Sequence, residues 1–266
     1  MPRPVSFELD SRELAATYDR ASNPQFGNGK LLVESLEIVP GEHVLDIGAG
    51  TGRLAEYVAG IVGPGGLVVA IDPLPLRIEI ASRKAKGNFR SQVGRAEDLS
   101  AFADGSFDVV YLNSVFHWVT DKPKALSEIH RVLKPGGRLG LNSANSEKPH
   151  QSAAILREIL ADEGLGDPDG ASINLPISPS ELRRILEAAG FRKIEIEPRV
   201  LVDFHEDADA ILELSRSSSF GNSLSELGAE GKAQLRDHLS ERLEAFRTPD
   251  GIRLERYLTF ATARKG

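Results

Sequence analysis

The chain contains no cysteine, and only one methionine and one tryptophan in 266 residues. Without a thiol there is no disulfide, no thiolate nucleophile, no zinc finger and no iron–sulfur cluster. Long apolar runs are missing too: nothing approaches the roughly eighteen uninterrupted apolar residues of a membrane span. The opening MPRPVSFELDSREL also lacks the apolar core of a secretion signal. These absences predict a soluble, cytoplasmic chain. Positive charge is in deficit, with 32 Lys and Arg against 39 Asp and Glu for a formal net charge of −7, and no basic cluster is longer than SRKAK (82–86). Such a surface repels polyphosphate, so the expected partner is a small molecule and not nucleic acid. His130, His150, His205 and His238 show no metal-ligand spacing and are expected to be surface or satisfied residues, with no bound metal. None of these features encodes an oligomeric state.

What the chain does have is a rhythm. Short runs rich in Val, Ile and Leu, namely HVLDI (43–47), LVVAID (67–72), FRSQV (89–93), FDVVYLN (107–113) and RLGLN (138–142), alternate with segments of helical period at 52–62, 75–86 and 122–133. Fully apolar strands separated by helices are the pattern of a parallel sheet covered on both faces, and the economical architecture is a doubly wound α/β fold. After residue 145 the pattern changes: helices at 149–163 and 178–189, a strand within 191–204, a mostly helical stretch carrying Leu235, Leu239 and Leu243, and a last apolar run at 253–263. No repeat and no clear linker divides the chain, which predicts one domain.

The stretch VLDIGAGTG (44–52) places glycine at 48, 50 and 52, between a strand and a helix. Glycine permits positive φ and removes Cβ atoms that would hold a ligand away, and the carboxyl ends of strands are where open α/β sheets bind ligands. A dinucleotide site wants G-x-G-x-x-G and a helix N-terminus facing pyrophosphate. This chain has G-x-G-x-G, with Asp46 two residues before it. A carboxylate there opposes pyrophosphate and suits a ligand bearing an ammonium group. Asp72, at the end of the second strand, is placed to accept ribose hydroxyls, a feature shared by NAD and S-adenosylmethionine sites; it equally suits a cap on the DPLP turn (72–75).

VLDIGAGTGRL, followed by VVAIDP, GRAEDL (94–99), FDVVYLNSVFHWV (107–119) and EIHRVLKPGGRLGL (128–141), resembles the class I S-adenosylmethionine-dependent methyltransferases, particularly those of ubiquinone and menaquinone biosynthesis. The resemblance runs over roughly residues 40–142. It implies a Rossmann-like seven-stranded sheet with an antiparallel last strand at 253–263 and a helical cap. It further implies a single methyltransferase domain over 1–266: N-terminal lid helices in 1–40, a cofactor-binding core in 41–145, and a C-terminal half, 146–266, with the cap at about 205–250. S-adenosylmethionine is the implied cofactor. Asp46, Gly48 and Gly50 would surround its methionine half, Asp72 its ribose and Leu74 its adenine, with Ala96 and Glu97 at the adenine edge and Asn113 near the sulfonium. Tyr18 and Gln25 are implied lid contacts, and KPGGRL (134–139) a turn into the fifth strand. Pro73 and Pro75 depart from the usual adenine loop.

Methyl transfer from a sulfonium is an in-line displacement, so alignment and exclusion of water are the main requirements, and a base is needed only for an acceptor that must lose a proton. His117 is the one group in NSVFHWV (113–119) with a near-neutral reference pKa, and is the candidate base or pocket-lining residue. Trp118 and Phe116 either face the sulfonium or pack in the core. Tyr18, His117, Trp118 and Phe220 are the candidate acceptor contacts, and Ser217, Ser218 and Ser219 either join Phe220 in a cap or lie at the surface. The expected activity is methyl transfer to O, S, N or C of a small acceptor. Thiol methylation in detoxification or natural-product tailoring is an alternative, as are a nicotinamide-dependent oxidoreductase and a non-catalytic cofactor-binding protein.

Overall fold

The computed structural model describes residues 5–165 and 174–266, which fall into two compact units. The first draws on Asn23–Ser146, Leu175–Arg199 and Thr259–Gly266, the second on Met1–Ser22, Glu147–Asn174 and Val200–Leu258. The unit boundary at Ser22 falls within the segment 1–40, whose first four residues lie outside the described ones.

The expected sheet is there. Five strands, β1 (His43–Ile47), β2 (Leu67–Asp72), β3 (Phe89–Val93), β4 (Phe107–Asn113) and β5 (Leu133–Ala144), pair in parallel. With β6 (Phe191–His205) and β8 (Gly251–Lys265) the strand order is β3-β2-β1-β4-β5-β8-β6, and the two-residue β7 (Arg247–Thr248) forms an antiparallel hairpin with β8. The last strands of this Rossmann-like sheet are antiparallel. The order runs one way from β1 to β3 and the other way from β4 to β5. The seam between β1 and β4 is therefore the switch point at which such sheets leave a crevice.

The helices of the first unit are α2 (Asn23–Ser35), α3 (Arg53–Val62), α4 (Pro75–Lys84), α5 (Lys122–Val132) and α7 (Pro179–Ala188). Each of the last three opens with proline in its first turn, where the missing N–H costs nothing. Asp121 and Ser178 cap α5 and α7 by accepting from Lys124 N and Glu181 N. Leu54, Ala55, Val58 and Val62 of α3, and Ala125, Leu126, Ile129 and Val132 of α5, are buried. Leu133, the last residue of the segment expected to be helical at 122–133, instead begins β5. The KPGG stretch is not a turn before the strand but a bulge inside it. Pairing jumps from Phe107↔Leu133 to Val109↔Arg138, Gly136 takes φ 74°, and the Lys134 ammonium lies 2.8 Å from Asp108.

The second unit packs α6 (Gln151–Asp162), α8 (Ala208–Ser218) and α9 (Ala229–Leu243) around a core that includes Leu235, Leu239, Leu243, Ile252 and Leu254. α1 (Arg12–Ala21) lies along α8. Ser217 and Ser219 are buried, which removes the surface reading for both. Ser219 closes α8, its hydroxyl donating to the Ser215 carbonyl (2.8 Å) and accepting from Ser223 N (2.9 Å). Phe220 is buried with its ring 5.6 Å from that of Phe7. His150 and His205 are held neutral chiefly by burial, His150 down to about 4 with Nδ1 accepting from Tyr257 N, beside the half-buried Arg256–Asp203 ion pair. Among the described residues no helix is long and apolar enough to cross a membrane.

Gly52, which opens α3 at φ 79°, shows what packing demands of the glycine loop: a Cβ there would stand 2.9 Å from Ala81 Cβ and 3.2 Å from Phe89 Cζ. Gly52→Ala is expected to destabilise the chain by at least about 1 kcal/mol, through positive φ and the collision together. A denaturant titration with an unchanged midpoint would refute that account.

Candidate functional site

All three loop glycines take left-handed φ, 74° at Gly48, 55° at Gly50 and 79° at Gly52. Their N–H groups are drawn into the protein. Gly48 and Ala49 both donate to the Ile71 carbonyl (2.7 and 3.0 Å), and Gly52 donates to Ala49 (2.9 Å). Gly50 donates to Asp72 Oδ2 (2.8 Å), and Leu74 N donates to Asp72 Oδ1 (2.9 Å). Asp72 thus both caps its own turn and ties the glycine loop to the end of β2. A carboxylate offers about four acceptor positions, so the same group can hold the loop and receive ribose hydroxyls. At Gly48 the space of the absent Cβ belongs to Val115, whose Cγ2 would lie 2.2 Å from it. The seam between β1 and the exit of β4 thus itself requires glycine here.

Asp46 is buried in the seam, 2% exposed, and accepts from Tyr111 Oη (2.7 Å) on the neighbouring strand. Burial raises its carboxyl from the ordinary 3.8 to about 7; the Tyr111 hydrogen bond pulls it down and the charge of Asp72 pushes it up. Burial also lifts the Tyr111 hydroxyl well above its usual range, so Tyr111 stays a donor. A buried carboxylate with only a neutral donor beside it gains most from a cation.

Two residues beyond Tyr111, Asn113 donates from Nδ2 to the Gln25 carbonyl (2.9 Å) and accepts at Oδ1 from Asn142 Nδ2 (2.8 Å). Asn142, fully buried on β5, accepts at Oδ1 from Ser114 N (2.6 Å). Gln25 Oε1 is buried without a hydrogen-bond partner. The orphaned acceptor on α2 and the buried acid on β1 each have the polarity an ammonium group requires. Asp46, Asp72, Asn113 and Gln25 all belong to the first unit, on β1, β2, β4 and α2. Asp72 and Asn113 end strands two positions apart, about 10 Å.

The other expected residues are placed as follows. Leu74 is buried after β2, and Ala96 is buried in the core. Glu97 Oε1 accepts from Thr120 N (3.1 Å). Phe116 is fully buried in the core, and Trp118 is half-buried with its ring 5.2 Å from the His117 ring. His117 is buried and accepts at Nδ1 from Ala144 N (3.2 Å). With Nδ1 accepting there, a neutral His117 carries its proton on Nε2. Tyr18 and Phe220 belong to the second unit. Asn142, Ser114, Val115 and Tyr111 escaped the sequence reading. A polar pair at 142–143 inside an apolar strand was the available signal for Asn142; nothing in the sequence marks Ser114 for its φ of 58°.

Because Asp46 holds its proton to about pH 7 when folded but loses it near 3.8 when unfolded, the folded state binds more protons between those values. Its contribution is fully present below about 3.8, falls as pH rises, and is lost above about 7. Asp46→Asn, which keeps the acceptor for Tyr111, is expected to remove this part of the pH slope and to raise the melting temperature at pH 8 relative to wild type. Parallel melting curves of the two proteins from pH 4 to 8 would contradict the assignment.

Comparison with known proteins agrees with this geometry. A methyltransferase domain family matches residues 45–141. A demethylmenaquinone methyltransferase from Symbiobacterium thermophilum is 40% identical over 152 residues, covering 52% of this chain and 60% of that protein. The chain spans about half the length of the curated relatives it matches. Among solved structures, the YcgJ protein of Bacillus subtilis aligns with a TM-score of 0.63 at 23% identity, covering 90% of this chain and 98% of that one. A phosphoethanolamine N-methyltransferase 2 from Haemonchus contortus, in complex with S-adenosyl-L-methionine, aligns at 0.61 and 17% identity, covering 96% of this chain and 58% of that one. The segment holding the glycine loop and the two strand-end acids thus matches a methyltransferase domain family, and the chain shares the Rossmann-like fold of these solved structures.

Proposed function

We propose that the chain is an S-adenosylmethionine-dependent methyltransferase acting on a small-molecule acceptor. The observation that carries this reading is the Asp46 carboxyl, buried at the switch point with only the Tyr111 hydroxyl bonded to it. When bound, S-adenosylmethionine supplies a methyl group already activated on sulfur. This chain's residues then have to bind and orient. Asp46 provides the negative charge and Gln25 Oε1 the acceptor for the ammonium, Asp72 receives the ribose hydroxyls while bracing the loop, and Leu74 and Ala96 line the adenine side. Asn113 holds α2 against the end of β4.

A nicotinamide cofactor fits less well. The loop N–H groups that would cradle a pyrophosphate are spent on Ile71, Asp72 and Ala49, and Asp46 would repel it. The relatives differ in acceptor, one named for demethylmenaquinone and one for phosphoethanolamine, so the acceptor atom is not carried over. His117 enters as a positioning residue, because its Nδ1 lone pair is engaged by Ala144 N.

Calorimetric titration with S-adenosylhomocysteine is expected to show binding and with NAD none, and the reverse would overturn the reading. Affinity for S-adenosylhomocysteine should rise as pH passes upward through about 7, where Asp46 becomes charged, and this rise should vanish in Asp46→Asn. His117→Ala is expected to slow transfer to acceptors of widely different pKa by similar factors; a loss confined to acceptors that must shed a proton would restore it as the base.

A further inference from the structure

The hydrogen bonds around Asn142 form a relay whose polarity is fixed at both ends. Ser114 N–H can only donate, so Asn142 must present Oδ1 to it (2.6 Å) and turn Nδ2 toward Asn113 Oδ1 (2.8 Å). Asn113 must then turn its own Nδ2 outward, onto the Gln25 carbonyl (2.9 Å), which can only accept. Neither amide can flip without placing donor against donor or acceptor against acceptor. The relay starts on β5, crosses β4 and ends on α2, at the residue whose Oε1 is buried and unbonded.

The same Asn142 oxygen serves a second arm. Ser114 sits at φ 58°, in the left-handed region that non-glycine side chains avoid. Its N–H is clamped to Asn142 Oδ1, and its hydroxyl lies 3.3 Å from the same atom. The next residue, Val115, fills the space of the Cβ that Gly48 lacks. Asn142 therefore braces the glycine loop on one side and α2 on the other. Asparagine suits this position because it donates and accepts from one planar group; aspartate loses the donor and leucine loses both.

We propose that Asn142 is a positioning residue for the amino-acid end of the cofactor, acting through Asn113 on Gln25 and through Ser114 and Val115 on the glycine loop. This rests on the cofactor assignment above. Its distinctive consequence is selectivity: the ribose side, held by Asp72 on β2, lies outside the relay.

The test compares S-adenosylhomocysteine with 5′-methylthioadenosine, which has the same nucleoside and no amino-acid tail, by calorimetry on the full chain. Asn142→Asp is expected to weaken S-adenosylhomocysteine about tenfold or more, as loss of a buried hydrogen-bonded link does, and to change 5′-methylthioadenosine by less than about threefold. Gln25→Leu, on half-buried α2, should show the same selective loss. The double variant should lose no more than either single one, since both break one chain of contacts. Gln25→Leu also probes the relay from its far end should Asn142→Asp fail to fold. Equal weakening of both ligands, or additive losses in the double variant, would overturn the proposal while leaving the cofactor reading intact. Failure of wild type to bind S-adenosylhomocysteine at all would remove the reading and the proposal together.

Discussion

The carboxylate of Asp72, holding Gly50 N–H and Leu74 N–H at once, is the constraint on which the site depends. A loop with three left-handed glycines has little intrinsic reason to adopt one conformation, since glycine loses more backbone freedom on folding than any other residue. Charge-assisted bonds from a buried carboxylate supply that reason. They also connect two strand ends, β1 and β2, that the sheet brings side by side. The groove is therefore built by the same group that is proposed to read the ribose.

Placing two acids at neighbouring strand ends has an electrostatic cost, and the structure divides it unequally. Asp72 receives two backbone donors. Asp46 receives one phenol hydroxyl and lies deeper, so its proton is held to about 7. Near neutral pH the Asp46 carboxyl is thus poised between its two states. The proposed ligand, with its fixed positive nitrogen, would draw the proton off Asp46 and so link its binding to the ionisation of that residue.

Much of the sheet was legible because apolar strands and amphipathic helices alternate with capping residues at their joints. HVLDI, LVVAID, FRSQV and FDVVYLN are strands with the expected bounds, since period and composition agree at each. The bulge at KPGG was not legible: proline and glycine read as punctuation, and only pairing with β4 shows the strand continuing through them. Asp46, Asp72, Asn113 and Gln25 stood out by position. What they do to one another did not, because hydrogen-bond direction depends on neighbours as remote in sequence as Asn142 is from Gln25. Ser114 was invisible for the same reason, its φ being imposed by Asn142 and not by its own preference.

The spacing of the glycines also acquires a physical meaning. In a G-x-G-x-x-G loop the helix starts where its N–H groups can reach a pyrophosphate. Here Gly52 already opens α3, and its missing Cβ is claimed by Ala81 and Phe89, so the third glycine performs helix–sheet packing one residue early. The N–H groups of Gly48, Ala49 and Gly50 point at Ile71 and Asp72, and that of Gly52 at Ala49. A loop whose donors are spent internally presents carbonyls and carboxylates to a guest, and such a lining attracts positive charge. On the proposed reading, one residue of spacing turns a place for anions into a place for a cation. The G-x-G-x-G pattern is consequently a chemical statement about the ligand as well as a mark of descent.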